Sequence, residues 1–71
     1  MKAYELYKTL SAEPFWATKS RTVRWIAARY YAGVITFGEL LAHTKTSPSY
    51  KEHLVAPIIT AEDAKMIVSL R

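Results

Sequence analysis

The complete absence of cysteine is the feature that most constrains how this chain of 71 residues can fold. A domain this short is close to the lower size limit for a self-supporting hydrophobic core, and small domains commonly rely on disulfides, a structural metal, oligomerisation or very regular helix packing. Without cysteine, disulfides and thiolate zinc sites are excluded. We therefore expect the fold to depend on helix packing, on a partner, or on both.

The composition is that of a globular domain, because 51% of the residues are hydrophobic and only two are Gly and three are Pro. The longest uninterrupted apolar stretches, Trp25–Ala28 and Tyr30–Ile35, are far shorter than the ~20 residues that span a membrane. Charged residues interrupt the N-terminal region from Lys2 to Lys8, so we expect no signal peptide. Together with the lack of cysteine, this predicts a cytoplasmic protein with no membrane partner.

Apolar residues at helical spacing dominate the first half of the chain. A short amphipathic helix is predicted over residues 2–10 from the spacing of Ala3, Leu6, Tyr7 and Leu10. A longer helical pattern over 12–32 follows, with Ser11 as its expected N-cap and Pro14 in its first turn. Gly33 is expected to end this pattern as a left-handed C-cap.

The continuity of the 12–32 pattern depends on Lys19. At about 100° per residue this lysine falls on the arc that carries the apolar side chains. Either Lys19 snorkels along that face, or the chain breaks near Thr18–Ser20 and a new helix begins with Ser20 as its cap. The break removes the conflict, and it is the interpretation we favour.

Cap signals also divide the second half of the chain. Thr36 and Glu39 have the spacing of a capping box and predict a helix over 37–44. Ser47 followed by Pro48 predicts a brief helix that runs to about Leu54.

The C-terminal part is predicted to be an extended connector over 55–59 and a last helix. The connector is expected because proline disfavours the helical region at the residue before it. The helix begins at the cap signature Thr60–Asp63 and runs towards Leu70. Its apolar residues cover most of its circumference, so it is either central to the core or partly an oligomer contact. The predicted fold is an all-α compact bundle of four or five short helices in a single domain, 1–71.

Positive charge is concentrated in one segment of the sequence. The net charge is +4, yet no acidic residue lies between Glu13 and Glu39. Four basic residues fall in that interval, and the rest of the chain is balanced with six basic and six acidic residues. Such an asymmetry predicts a polyanion-binding surface, with a solvated helix face in a mildly basic protein as the alternative. The four residues are Lys19, Arg21, Arg24 and Arg29.

Trp25 lies among these arginines on the helical wheel, on the arc opposite the core-facing residues. An exposed tryptophan flanked by guanidinium groups can stack on a base or on an aromatic partner. The alternative is that Trp25 inserts between two helices. Five Tyr and two Trp are also more aromatic side chains than so small a core can bury, which indicates a binding patch.

Residues 36–54 are a candidate helix-turn-helix, whose second helix would enter the major groove of DNA. The stretch Gly33–Leu40 resembles, over eight residues, the helix that opens this motif in DNA alkyltransferases. The cysteine that those enzymes require is absent, so the resemblance implies no alkyl transfer. The motif would contribute further binding residues: Lys45, Ser49, Lys51 and His53.

No residue pattern typical of catalysis is found in the sequence, whether Ser-His-Asp, a glycine-rich phosphate loop or a close carboxylate pair. His43 and His53 are ten residues apart and lack metal-ligand spacing. Glu39 and His43 are spaced for a surface pair, and Glu62 with Asp63 fits N-terminal helix charge. We therefore expect no enzyme activity, no cofactor and no metal.

These patterns predict a small basic nucleic-acid-binding protein, with DNA as the favoured ligand. It would act as a homodimeric regulator of the kind that phages or mobile elements encode. The alternative is a protein-interaction module or inhibitor that docks an acidic partner through the same Arg/Trp face, because guanidinium groups pair with carboxylate and phosphate alike. The expected binding residues are Lys19, Arg21, Arg24, Trp25, Arg29, Lys45, Ser49, Lys51 and His53.

Overall fold

The computed structural model describes residues 2–45, 47–48, 54–55 and 57–70, and almost all the regular structure in these ranges is helical. The five helices described are α1 (Ala3–Ser11), α2 (Pro14–Ala17), α3 (Arg21–Tyr31), α4 (Phe37–Ala42) and α5 (Ala61–Ser69). Two short strands, β1 (Ser47–Pro48) and β2 (Leu54–Val55), pair antiparallel. The predicted all-α bundle of four or five helices is confirmed.

The junction between α1 and α2 corrects the prediction that Ser11 caps the second helix. Ser11 is the last residue of α1, and Glu13 is the N-cap of α2, with φ −84° and ψ 133°. The reason is Pro14, which disfavours the helical region at the residue before it and so makes Glu13 extended. Proline itself suits the first helical position, where its missing N–H is not needed.

The helical pattern breaks between α2 and α3, as predicted. α2 ends at Ala17, and Ser20 is extended, with its side-chain oxygen accepting a hydrogen bond from the Val23 N–H at 3.2 Å. That bond satisfies one of the free N–H groups of the first turn of α3. Lys19 therefore lies outside both helices.

Gly33 ends α3 in a left-handed conformation, with φ 78°. The Gly33 N–H donates to the Tyr30 carbonyl at 3.1 Å, and the Val34 N–H donates to the Arg29 carbonyl at 2.9 Å. This pair of bonds is the Schellman motif, which satisfies carbonyls that the helix end would leave free. The predicted C-cap is confirmed.

Both predicted capping boxes in the second half are present. In α4, the Glu39 N–H donates to Thr36 Oγ1 at 3.1 Å, and the Thr36 N–H donates to the Glu39 carboxylate at 3.2 Å. In α5, Thr60 and Asp63 make the same reciprocal pair. Each box satisfies two N–H groups at a helix start.

The segment 47–54 differs from the brief helix that Ser47–Pro48 predicted, because both of its ends are strands. A helix this short is marginal without strong packing of an apolar face. Proline is tolerated where a strand begins, and β-branched Val55 favours extended backbone. The prediction of a second helix for the candidate helix-turn-helix is therefore wrong at both ends of the segment. Outside the described residues lie Ser49, Lys51 and His53.

Helices α3, α4 and α5 pack together in the core, to which α1 and α2 also contribute residues. Leu40 of α4 and Ile67 of α5 are fully buried. The Tyr31 hydroxyl donates to the Ile67 carbonyl at 2.6 Å, which ties α3 to α5. Within the described ranges, no helix is long and apolar enough to cross a membrane. The buried hydrophobic residues are Leu10, Trp16, Val23, Ile26, Ala27, Ala28, Tyr30, Ile35, Leu40, Ile59, Ala64 and Ile67.

Candidate nucleic-acid interface

An open groove of about 360 Å³ lies between α1 and α3, and we refer to it as the α1–α3 groove. Its volume is at the lower end of the roughly 300–1,000 Å³ typical of small-molecule sites. The groove therefore has room for a planar group the size of one base. Its lining consists of three aromatic residues and one arginine, Tyr4, Tyr7, Trp25 and Arg21.

The aromatic rings come from both helices. Tyr4 and Tyr7 are three residues apart and so share one face of α1. The Tyr7 and Trp25 ring centroids are 5.0 Å apart at 82°, an edge-to-face contact that fixes both rings. Tyr4 is 62% exposed and Trp25 is 38% exposed, so ring surface stays open to a ligand.

Cationic groups lie beside these rings. Lys8 Nζ is 5.4 Å from the centroid of Tyr4, and Arg24 Cζ is 5.7 Å from the centroid of Tyr7. Arg24 is half-buried, and its Nε has no hydrogen-bond partner. The Arg24 guanidinium is thus held against the Tyr7 ring.

Along α3, Arg21, Trp25 and Arg29 are spaced four residues apart and form one stripe. Arg21 is exposed and Arg29 is half-buried. Ala28 is fully buried, and Arg24 is half-buried with its guanidinium over the Tyr7 ring of α1. Of the arc predicted to face solvent, Arg21 is therefore open, whereas Arg24 is partly covered by α1.

α3 carries no carboxylate that would neutralise the positive charge of the groove, because residues 14–38 contain neither Asp nor Glu. On α1, Glu5 is about 100° around the helix from Tyr4, away from Tyr7. In the described part of the chain, neither Arg21 nor Arg29 has an ion-pair partner. Among the residues of the described ranges, no carboxylate competes with an external anion for the two guanidinium groups.

The remaining predicted site residues are not part of this groove. Lys19 Nζ is 5.1 Å from the Phe15 ring, on the connection between α2 and α3. Lys45 is exposed just after α4. Conversely, Tyr4, Tyr7 and Lys8 were not among the site residues predicted from the sequence. Their i, i+3, i+4 spacing on α1 was the signal that could have identified them.

The Glu39 side chain takes part in the capping box of α4 and not in the surface pair expected with His43. Glu39 Oε1 accepts from the Thr36 N–H at 3.2 Å and from Thr36 Oγ1 at 3.3 Å. The His43 carbonyl accepts from the Ile58 N–H at 2.9 Å. Among the described residues, no group of three or more His, Asp or Glu side chains is arranged to hold a metal ion.

A second groove, of about 280 Å³, lies between α4 and α5, and we refer to it as the α4–α5 groove. Its lining is almost entirely apolar, with Phe37, Leu41 and Val68 partly exposed and Lys65 as its one charged lining residue among those described. One face of α5 is in the core, where Ala64 and Ile67 are buried. Of the two alternatives predicted for α5, the core role applies to Ala64 and Ile67, while Val68 remains exposed and could form an oligomer contact.

Comparison with known proteins gives no match to this chain from protein-family models, curated proteins or solved structures. The α1–α3 groove is therefore interpreted from its own side chains.

Proposed function

We propose that this protein binds nucleic acid through the α1–α3 groove and the arginine stripe beside it. The observation that carries the proposal is that the exposed rings of Tyr4 and Trp25 and the exposed Arg21 guanidinium line one groove, with Arg29 on the same stripe of α3. Phosphates are the natural partners of the cations, and bases are the natural partners of the rings. The cations and the rings lie on the same face of the α1–α3 pair, so one ligand can contact both.

In this proposal each side chain has a distinct role. Arg21 and Arg29 bind phosphate groups at the two ends of the stripe, about 12 Å apart along the helix. Trp25 and Tyr4 contact bases. Arg24 and Lys8 supply positive charge next to the rings, where a bound base brings its own phosphate.

An acidic protein would satisfy the cations equally well, but it offers few flat aromatic surfaces for the exposed rings. Nucleic acid offers phosphates to the cations and bases to the rings, and it is the ligand we favour. A small basic chain without cysteine fits the role of a regulatory protein that binds nucleic acid in the cytoplasm.

A second copy of the chain is the occupant we assign to the α4–α5 groove. The described residues of 37–45 and 57–70 carry two lysines and three acidic groups, so two copies meet there without the repulsion of the basic face. The dimer would then present two α1–α3 grooves to one strand and bind it more tightly than a monomer.

The test is a comparison of two charge-matched double variants, Arg21→Gln/Arg29→Gln and Lys2→Gln/Lys45→Gln. Both lower the net charge by two, but only the first alters the arginine stripe. Affinity for labelled oligonucleotides is measured by fluorescence anisotropy. Arg24 is left intact because its ring contact contributes about 0.5–1 kcal/mol to stability.

We expect the arginine pair to weaken binding at least about tenfold, since charge-assisted phosphate contacts contribute about 1.5–3 kcal/mol each. The lysine pair should change affinity by less than about threefold. Equal effects of the two pairs would mean that binding follows net charge and not this groove. A protein that binds no oligonucleotide but captures an acidic polypeptide would replace the proposal with the protein-interaction alternative.

A further inference from the structure

We infer that the α1–α3 groove takes unpaired bases, so that the ligand is single-stranded nucleic acid and not a duplex. This inference rests on the proposed function and specifies the ligand of the same site. Single-stranded DNA and RNA share the feature that matters, which is a base whose flat face is open to stacking.

The first observation is the location of the exposed rings. Tyr4 and Trp25 line a groove between two helices and do not project from a convex surface. In a duplex the base faces are stacked on one another, and only base edges and the backbone are exposed. A ring inside a groove cannot reach those faces, whereas an unpaired base can turn into the groove and stack on it.

The second observation is the packing of α1 along α3. The major groove of DNA is about 12 Å wide and admits a single helix. Two packed helices have axes 8–10 Å apart and diameters of about 10 Å each, so together they are too wide to enter. With Ala28 fully buried and Arg24 partly covered, α3 offers a major groove only part of its outward arc.

The third observation is that two cations, Lys8 and Arg24, lie next to aromatic rings of α1. Lys8 Nζ and Arg24 Cζ are 5.4 Å and 5.7 Å from the Tyr4 and Tyr7 centroids. This interleaving matches a single strand, in which every base is followed closely by a phosphate. Basic grooves with aromatic stacking platforms are the usual means of binding such strands without sequence preference.

The experiment measures the affinity of the full chain for four oligonucleotides: one strand as DNA, the same strand as RNA, and the duplex of each. We expect both single strands to bind about tenfold or more tightly than their duplexes. Binding should also quench the fluorescence of Trp25. Trp25→Phe identifies the source of that signal, because Trp16 is buried and should not respond.

Ring variants separate stacking from charge. Tyr4→Ala should weaken single-strand binding by about tenfold. Tyr4→Phe retains the ring and should bind like the unmodified chain. Phe15→Ala is the matched control, since it removes an exposed aromatic ring that does not line the groove. Thermal melts establish that all three variants fold, which the high exposure of Tyr4 favours.

The outcomes distinguish this inference from the proposed function. Duplex binding equal to or tighter than single-strand binding would overturn the inference and leave nucleic-acid binding in place. Unchanged single-strand affinity in a folded Tyr4→Ala variant would also overturn it. Absence of binding to all four oligonucleotides would overturn both. Preference for either DNA or RNA single strands over their duplexes would support the inference and identify the sugar.

Discussion

The two glycines of the chain should respond in opposite directions to the same substitution, to alanine. Gly33 has φ 78° at the end of α3, and a Cβ built there meets no atom within 4 Å. Gly38 lies inside α4 without a positive φ, and its Cβ would be 3.8 Å from Thr36 Oγ1. Neither position is crowded, so the backbone conformation alone decides the effect.

The magnitudes follow from the conformations. A side chain in the left-handed region costs about 1–2 kcal/mol, so Gly33→Ala should lower the free energy of unfolding by that amount. Glycine inside a helix costs roughly 0.5–1 kcal/mol relative to alanine, so Gly38→Ala should raise the free energy of unfolding. In a domain of this size, each kcal/mol shifts the thermal midpoint by about 4–8 °C.

Circular dichroism at 222 nm, followed during urea and thermal unfolding, measures both changes. We expect the midpoint of Gly33→Ala to fall below that of the unmodified chain and the midpoint of Gly38→Ala to rise above it. If Gly33→Ala were neutral or stabilising, the left-handed C-cap would be wrong. A strongly destabilised Gly38→Ala would mean that α4 is not a regular helix at this position.

Three further changes test the helix start, the core and the second groove. Thr60→Ala removes the capping box of α5 and should lower the free energy of unfolding by about 1 kcal/mol in urea titrations; an unchanged value would contradict the cap. Tyr31→Phe loses the hydrogen bond to the Ile67 carbonyl and should cost about 0.5–1.5 kcal/mol, and no change in the thermal midpoint would argue against this contact. Val68→Asp places a charge in the α4–α5 groove and should convert the proposed dimer to a monomer in sedimentation, whereas an unmodified chain that is monomeric across a hundredfold concentration range would refute the proposed dimer.

The helix ends were predictable from the sequence because their signals are local. Ser20, Gly33, Thr36 and Thr60 each act on backbone groups within a few residues, so spacing alone locates them. Ser11 misled the prediction although it belongs to the same residue class. The proline three positions later made Glu13 extended, and that second local effect decided where α2 begins.

The pairing of β1 with β2 was not predictable in the same way. A capping signal and a strand start look alike at Ser47–Pro48, and the choice depends on whether β2 returns to pair with it. Strand pairing is a contact between distant residues, which local propensity does not encode.

Half of the candidate site could be predicted from the sequence. The arginine stripe and Trp25 lie on one helix, so their common face follows from helical periodicity. Tyr4 and Tyr7 belong to another helix, and their part in the groove depends on which flank of α3 is covered by α1. Contacts between helices decide which flank is covered, as between the Arg24 guanidinium and the Tyr7 ring, and periodicity within one helix does not determine them.

The measurement that tests the central claim most directly is the salt dependence of single-strand affinity in the unmodified chain and in Arg21→Gln/Arg29→Gln. Each phosphate contact to a single strand contributes about −0.7 to the slope of log K against log salt. Contacts from Lys8, Arg21, Arg24 and Arg29 predict a slope of about −3, falling to about −1.4 in the double variant. Residual binding in molar salt is expected from stacking on Tyr4 and Trp25. A slope near zero, or the same slope in both proteins, would contradict nucleic-acid binding at the α1–α3 groove.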